Sequence, residues 1–87
     1  MKKVLVFLAD GFEEIEAVTA IDYLRRAGAD VVVAATGTAS RMVTGAHKLA
    51  VTAAMMLADY LAAAKGVIPD AVVVPGGMPG AANIYRC

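Results

Sequence analysis

Three short aliphatic runs, KVLVFLA at Lys3–Ala9, DVVVAA at Asp30–Ala35 and DAVVV at Asp70–Val74, leave this chain few folds to adopt. Their apolar residues are continuous. A strand with one face in water alternates apolar and polar side chains. A continuous run belongs to a strand covered on both faces, as in a parallel sheet flanked by helices. Turn residues close the first run at Asp10-Gly11 and the third at Pro75-Gly76-Gly77. Between the first two runs, the sequence predicts a helix over Glu13–Ala27, with Ala17, Ala20, Ile21 and Leu24 on one apolar face. Asp10 stands where a cap is expected. Glu13, Glu14 and Glu16 complement the positive end of the helix dipole, Arg25 and Arg26 the negative end, and Gly28 is a natural stop. Strand, helix, strand is a βαβ unit with a right-handed crossover expected.

The middle of the chain is less regular. Val43-Thr44, Gly45-Ala46 and Leu49 to Thr52 suit a short hairpin laid across the sheet edge. Ala53–Ala64 is expected to be helical, with Met55 and Met56 serving as packing. Pro79 or Gly80 is expected to open a further helix running into Cys87. Alternating strands and helices imply a doubly wound α/β sheet. In strand order 2-1-3, the first and third runs are neighbours. Ligands bind such sheets at the carboxyl ends of the strands, so that order puts Glu16 and Gly76-Gly77 on one rim.

Composition narrows the function classes. The chain has 87 residues, 60% of them hydrophobic and 18% charged, which suits part of a larger core better than a small independent domain. Eight basic residues balance eight acidic ones, so no basic stripe points to nucleic acid or anionic lipid. The longest charge-free stretch, Ala71 to Tyr85, is interrupted by Pro75, Gly76, Gly77, Pro79 and Gly80 and is too short to span a bilayer as a helix. The apolar run after Lys2-Lys3 ends at Asp10 without a signal-peptide cleavage site. A single cysteine, Cys87, excludes an internal disulfide, and the cytoplasm is the default compartment.

Few residues carry chemistry. Glu16, beside the apolar stripe of the helix, reads either as a partly buried general acid or as a solvated glutamate complementing the dipole. Gly76-Gly77 reads either as a backbone oxyanion or anion site, or as a turn requiring positive φ. His47 is the sole histidine, with no visible ligand set or nucleophile near it, and is expected at a surface or edge. Cys87 is terminal, with no base placed beside it, and is not expected to be a nucleophile. Neither a dinucleotide-binding nor a P-loop glycine pattern occurs, which removes most support for a nucleotide or flavin cofactor.

The run VLVFLADGFEEIEAVTAIDYLRRAGADVVVA, followed later by DAVVVPGGMPGAANI, resembles the ThiJ/PfpI family, which includes the parkinsonism-associated deglycase and its bacterial relatives. The carrying pattern is G-x-E-E-x-E, a helix ending R-R-A-G, a strand, then an apolar run into P-G-G-x-x-G-A. It covers nearly the whole chain and is weakest between Thr36 and Gly66. The resemblance implies a flavodoxin-like doubly wound fold, of which residues 1–87 would be the N-terminal portion of a single α/β domain. It gives Glu16 the part of the acid that hydrogen-bonds the catalytic cysteine, and Gly76 and Gly77 the part of backbone donors to the substrate oxyanion. It implies no added cofactor and no metal, and a homodimer formed through the first helix.

Family activities include glyoxalase, repair of glycated amino groups, chaperone action and oxidative-stress sensing. Some relatives are proteases or carry a thiamine-biosynthesis label. The family's nucleophile lies on an Ala-x-Cys-x-Gly elbow beyond the P-G-G loop, with a histidine further on, and these 87 residues contain neither. The expectation is a truncated, cysteine-dependent hydrolase or lyase that acts on reactive carbonyls or glycated groups in full-length form and is inactive as this chain. The alternatives are a non-enzymatic, chaperone-like interaction module and a class I amidotransferase-like half.

Overall fold

The computed structural model describes residues 2–76. Gly77, the helix expected after Pro79 or Gly80, and Cys87 lie outside the described residues.

The first aliphatic run forms β1 (Lys3–Leu8) and the second forms β2 (Asp30–Ala35). They pair in parallel from Lys3 opposite Asp30 to Leu8 opposite Ala35. The third run supplies a shorter strand than its sequence suggests, β6 (Ala71–Val73), parallel to β1 from Val4 opposite Ala71 to Val6 opposite Val73. The expected order of these three runs therefore holds, with β1 in the middle. Its Val4, Leu5, Val6 and Leu8 are all buried. Full burial of one such side chain contributes about 1.5–3 kcal/mol, so the central strand carries much of the stability.

Helix α1 (Glu14–Arg26) turns Ala17 into the core, with Ile21 and Leu24 packed against it. Its amino end is capped by Glu13, whose Oε1 accepts from the Ile15 N–H at 3.0 Å. The cap expected at Asp10 is thus incorrect. Asp10 lies too far before the first turn, and its Oδ1 accepts from the Thr44 N–H at 3.1 Å instead. At the other end the Gly28 N–H reaches the Arg25 carbonyl at 3.1 Å and the Ala29 N–H the Leu24 carbonyl at 3.0 Å. This paired closure needs a left-handed residue after the cap, and Gly28 supplies it at φ +90°.

The hairpin read from the middle segment is present as β3 (Met42–Thr44) and β4 (Ala50–Thr52), antiparallel, with Val43 opposite Val51. The helix expected from Ala53 starts later. Met55–Met56 forms β5, parallel to Ala34–Ala35 at the outer side of β2, and α2 spans Leu57–Ala64. Backbone pairing with the open edge of β2 wins over the alanine-rich helical propensity of these residues. The main sheet thus runs β5-β2-β1-β6, all parallel.

Candidate functional site

Because β1 and β6 are neighbours, the loops leaving their carboxyl ends lie side by side. The Glu13 N–H donates to the Gly76 carbonyl at 2.9 Å, and the Gly76 N–H points back to Glu16 Oε1 at 3.4 Å. Glu16 and Gly76 are therefore brought together on one rim, as strand order alone suggested. A Cβ on Gly76 would sit 3.1 Å from both Glu16 oxygens, so a larger residue there would push the carboxylate back by a few tenths of an ångström. Pro75, which directly precedes Gly76 in this loop, is fully buried. At 3.4 Å the Gly76 donor is at the long end of hydrogen-bonding range, so Glu16 holds it lightly and another oxygen can compete for it. The Glu16 side chain is exposed, which removes the partly buried reading offered for it.

The buried carboxylate of this region is Glu14, 7% exposed. Its Oε2 accepts from the N–H groups of His47 at 2.6 Å and Leu49 at 3.3 Å, and its Oε1 lies 3.0 Å from His47 Nδ1. Burial pushes the Glu14 carboxyl up. The hydrogen bonds from the His47 ring, from its own backbone and from the His47 and Leu49 amides outweigh that and hold it at about 2. His47 moves the other way, raised from its ordinary value of 6.5 by its bond to Glu14 and by the negative charges of Glu14 and Glu13. His47 lies at the surface, as expected, and the hairpin turn also delivers it to the helix, where it meets Glu14. Further bonds tie the hairpin to the loop that precedes α1, from the Gly11 N–H to the Thr44 carbonyl and from the Ala46 N–H to the Phe12 carbonyl, both at 2.8 Å.

Sequence reasoning gives Glu14 a part in the helix dipole but not its burial, although a signal for that exists. The buried stripe Ala17, Ile21, Leu24 extended back three positions reaches Glu14, so a carboxylate stands on the core side of the first turn. Glu13, Glu14 and His47 bring carboxylate and imidazole atoms within 4.8 Å of one another. Glu14 commits both oxygens to hairpin donors and Glu13 Oε1 caps the helix, so these groups are used in holding the structure.

Comparison with known proteins decides the lineage. The profile of the DJ-1/PfpI family matches residues 2–87. The chain belongs to the DJ-1/PfpI family. This is the ThiJ/PfpI group that the glutamate and glycine motifs suggested. Protein DJ-1 homolog A of Arabidopsis thaliana is 41% identical over 85 residues, 98% of this chain and 20% of that protein. Among solved structures, oxidized Toxoplasma gondii DJ-1 has a TM-score of 0.83 and 42% identity, covering 95% of this chain and 42% of that one. A mutant of a DJ-1 superfamily protein from Salmonella typhimurium has a TM-score of 0.85 and 42% identity, covering 99% of this chain and 44% of that one. These matches show the flavodoxin-like α/β fold of the DJ-1/PfpI family. The chain spans about a fifth of that curated plant relative and less than half of these two solved structures. No helix among the described residues is long and apolar enough to cross a membrane.

Proposed function

We propose that residues 1–87 are the N-terminal portion of a single DJ-1/PfpI α/β domain, and that the complete protein is a cysteine-dependent enzyme acting on reactive carbonyls or glycated groups. The observation that carries this reading is the contact between Glu16 and Gly76 at the carboxyl ends of β1 and β6. In this reading Glu16 hydrogen-bonds the nucleophilic cysteine, and the amides of Gly76 and Gly77 receive the oxyanion formed when the thiolate adds to a carbonyl carbon. The long Gly76–Glu16 bond suits that role, because a substrate oxygen can replace the carboxylate as acceptor. The cysteine itself comes from sequence outside these residues. Cys87 lacks the Ala-x-Cys-x-Gly context and does not stand in for it. The chain alone is inactive, and the complete protein is a cytoplasmic homodimer through α1.

Lactate formation from methylglyoxal tests the reading. The complete protein is expected to turn over without added cofactor and to lose activity when its elbow cysteine is changed to alanine. The 87-residue chain is expected to show no turnover. Turnover by this chain that survives alkylation of Cys87 overturns the assignment of the nucleophile.

A second reading, a chaperone-like interaction module, draws on the exposed apolar residues Ile68, Val72 and Val74 around β6. It requires a soluble oligomer with a cooperative unfolding transition. An insoluble chain, or one without that transition, rules it out.

A further inference from the structure

The first turn of α1 is gripped from two sides. On one side, the Glu13 N–H holds the Gly76 carbonyl and Glu16 accepts from the Gly76 N–H. On the other side, Glu14 accepts from two backbone amides and faces the imidazole of the β3–β4 turn. The three glutamates lie within four consecutive residues, so the backbone of one turn links both grips.

We propose that Glu14 is a positioning residue for the candidate site: by fixing the first turn of α1 to the Gly45–Leu49 turn, it sets where the Glu16 carboxylate meets the Gly76 amide. This rests on the reading of Glu16 and Gly76 as site residues. Three features support it. Glu14 is buried, and its carboxylate is engaged by two backbone amides and faces the His47 ring. The turn is shaped around it, since a Cβ on Gly45 would overlap the Glu14 carboxyl group. The bond it governs is long, and a small rotation of the first turn breaks a 3.4 Å contact more readily than a short one.

The proposal separates two roles that share a helical turn. Glu16, exposed at the rim, is the acid that hydrogen-bonds the cysteine in the proposed function. Glu14, one residue from Ile15 and two from Glu16, acts only through the backbone. A helix turn is stiff on this scale, because its dihedral angles are fixed together. Displacement of the Glu14 end therefore reaches the Glu16 side chain rather than dissipating between them.

Amide hydrogen exchange and nitrogen-15 chemical shifts on the 87-residue chain test it. In Glu14→Ala, the His47 and Leu49 amides are expected to lose protection, and the Gly76 amide to shift and lose about fivefold of its protection, the equivalent of one ordinary hydrogen bond. Gly45→Ala, which keeps the carboxylate but displaces it, is expected to do the same. Glu14→Gln retains an acceptor oxygen for both amides and is expected to restore Gly76 while losing the charge opposite His47. If Glu14→Ala does not fold, the contrast between Gly45→Ala and Glu14→Gln at Gly76 decides. A Gly76 amide unchanged in Gly45→Ala, with the hairpin amides opened, makes Glu14 a hairpin anchor alone and overturns the proposal. An inactive complete enzyme with this coupling intact would sink only the functional reading. An active one without the coupling would sink only the role of Glu14.

Discussion

Gly45 and Glu14 are packed so tightly that a Cβ at position 45 would overlap the carboxyl group of Glu14. The two are distant in sequence and on different elements, the hairpin turn and the first turn of α1. Gly45 is buried, and its backbone is closed locally, its N–H donating to the Leu49 carbonyl at 2.9 Å and its carbonyl accepting from the Lys48 N–H at 3.0 Å. Neither partner can retreat without breaking these bonds or those of Glu14. Gly45→Ala is therefore expected to destabilise the protein by about 1–3 kcal/mol through overpacking. Urea unfolding checks this, and a midpoint unchanged from the wild type would mean that the carboxylate has room to move.

The pair formed by Glu14 and His47 predicts a stability window in pH. The folded pKa of Glu14 is depressed from 4.5 to about 2, so its contribution is complete above 4.5 and is lost as pH falls toward about 2. The folded pKa of His47 is raised above 6.5, so its contribution is complete below 6.5 and is lost as pH rises through the raised value. The pair contributes most between 4.5 and 6.5. Proton NMR titration of the imidazole is expected to give a value above 6.5 in the wild type, falling toward 6.5 in Glu14→Gln. Equal values in the two proteins would show that Glu14 does not set the charge of His47.

These features mark where the sequence stops being legible. The parallel core could be read because continuous aliphatic runs admit few environments, and β1, β2 and β6 pair as those runs require. Glu16 and Gly76 could be placed on one rim because strand order alone brings their loops together. The burial of Glu14 depends on a turn 33 residues away, and no local pattern in the first helical turn announces that turn. Spacing along the buried stripe marked the position, but acidic residues are so common at helix starts that the dipole explained it sufficiently. Met55–Met56 was lost for a related reason: a two-residue strand is defined by the open edge of β2, not by its own composition.

Glu16 and Glu14 should separate when activity and stability are measured together. Glu16 is exposed and its one hydrogen bond to Gly76 is long. Glu16→Ala is expected to change stability by no more than about 0.5 kcal/mol, as for most surface positions. In the complete enzyme the same change is expected to lower kcat/KM for methylglyoxal by about 10–100-fold, the equivalent of one hydrogen bond to a charged group. Full activity in a folded Glu16→Ala protein would remove Glu16 from the catalytic machinery.

Phe12 shows how the loop that carries the site is held down. Its side chain is fully buried, and its carbonyl accepts from the Ala46 N–H at 2.8 Å, so the turn after β1 is tied at once to the core and to the hairpin. Phe12→Ala would leave a cavity beneath both, at a cost of about 3–5 kcal/mol. That approaches the whole stability of a small domain. The expected outcome is loss of cooperative unfolding in a thermal melt. A transition retained within a few degrees of the wild-type Tm would mean that the surrounding residues collapse into the space.

The sheet edge at β6 supplies the last prediction. Among the described strands β6 pairs only with β1, and Val72 and Val74 stay about half exposed beside Val67 and Ile68. An unpaired edge of aliphatic residues can accept a strand from another chain, whereas a charge on such an edge opposes that pairing. Val72→Lys is expected to reduce self-association of the 87-residue chain, measured by light scattering across a concentration series. Val72 contributes little to the buried core, so the substitution should leave the β1–β2 pairing intact. Unchanged association in a folded Val72→Lys protein would move the sticky surface elsewhere, with the exposed Ile15 and Val18 of α1 the next place to introduce a charge.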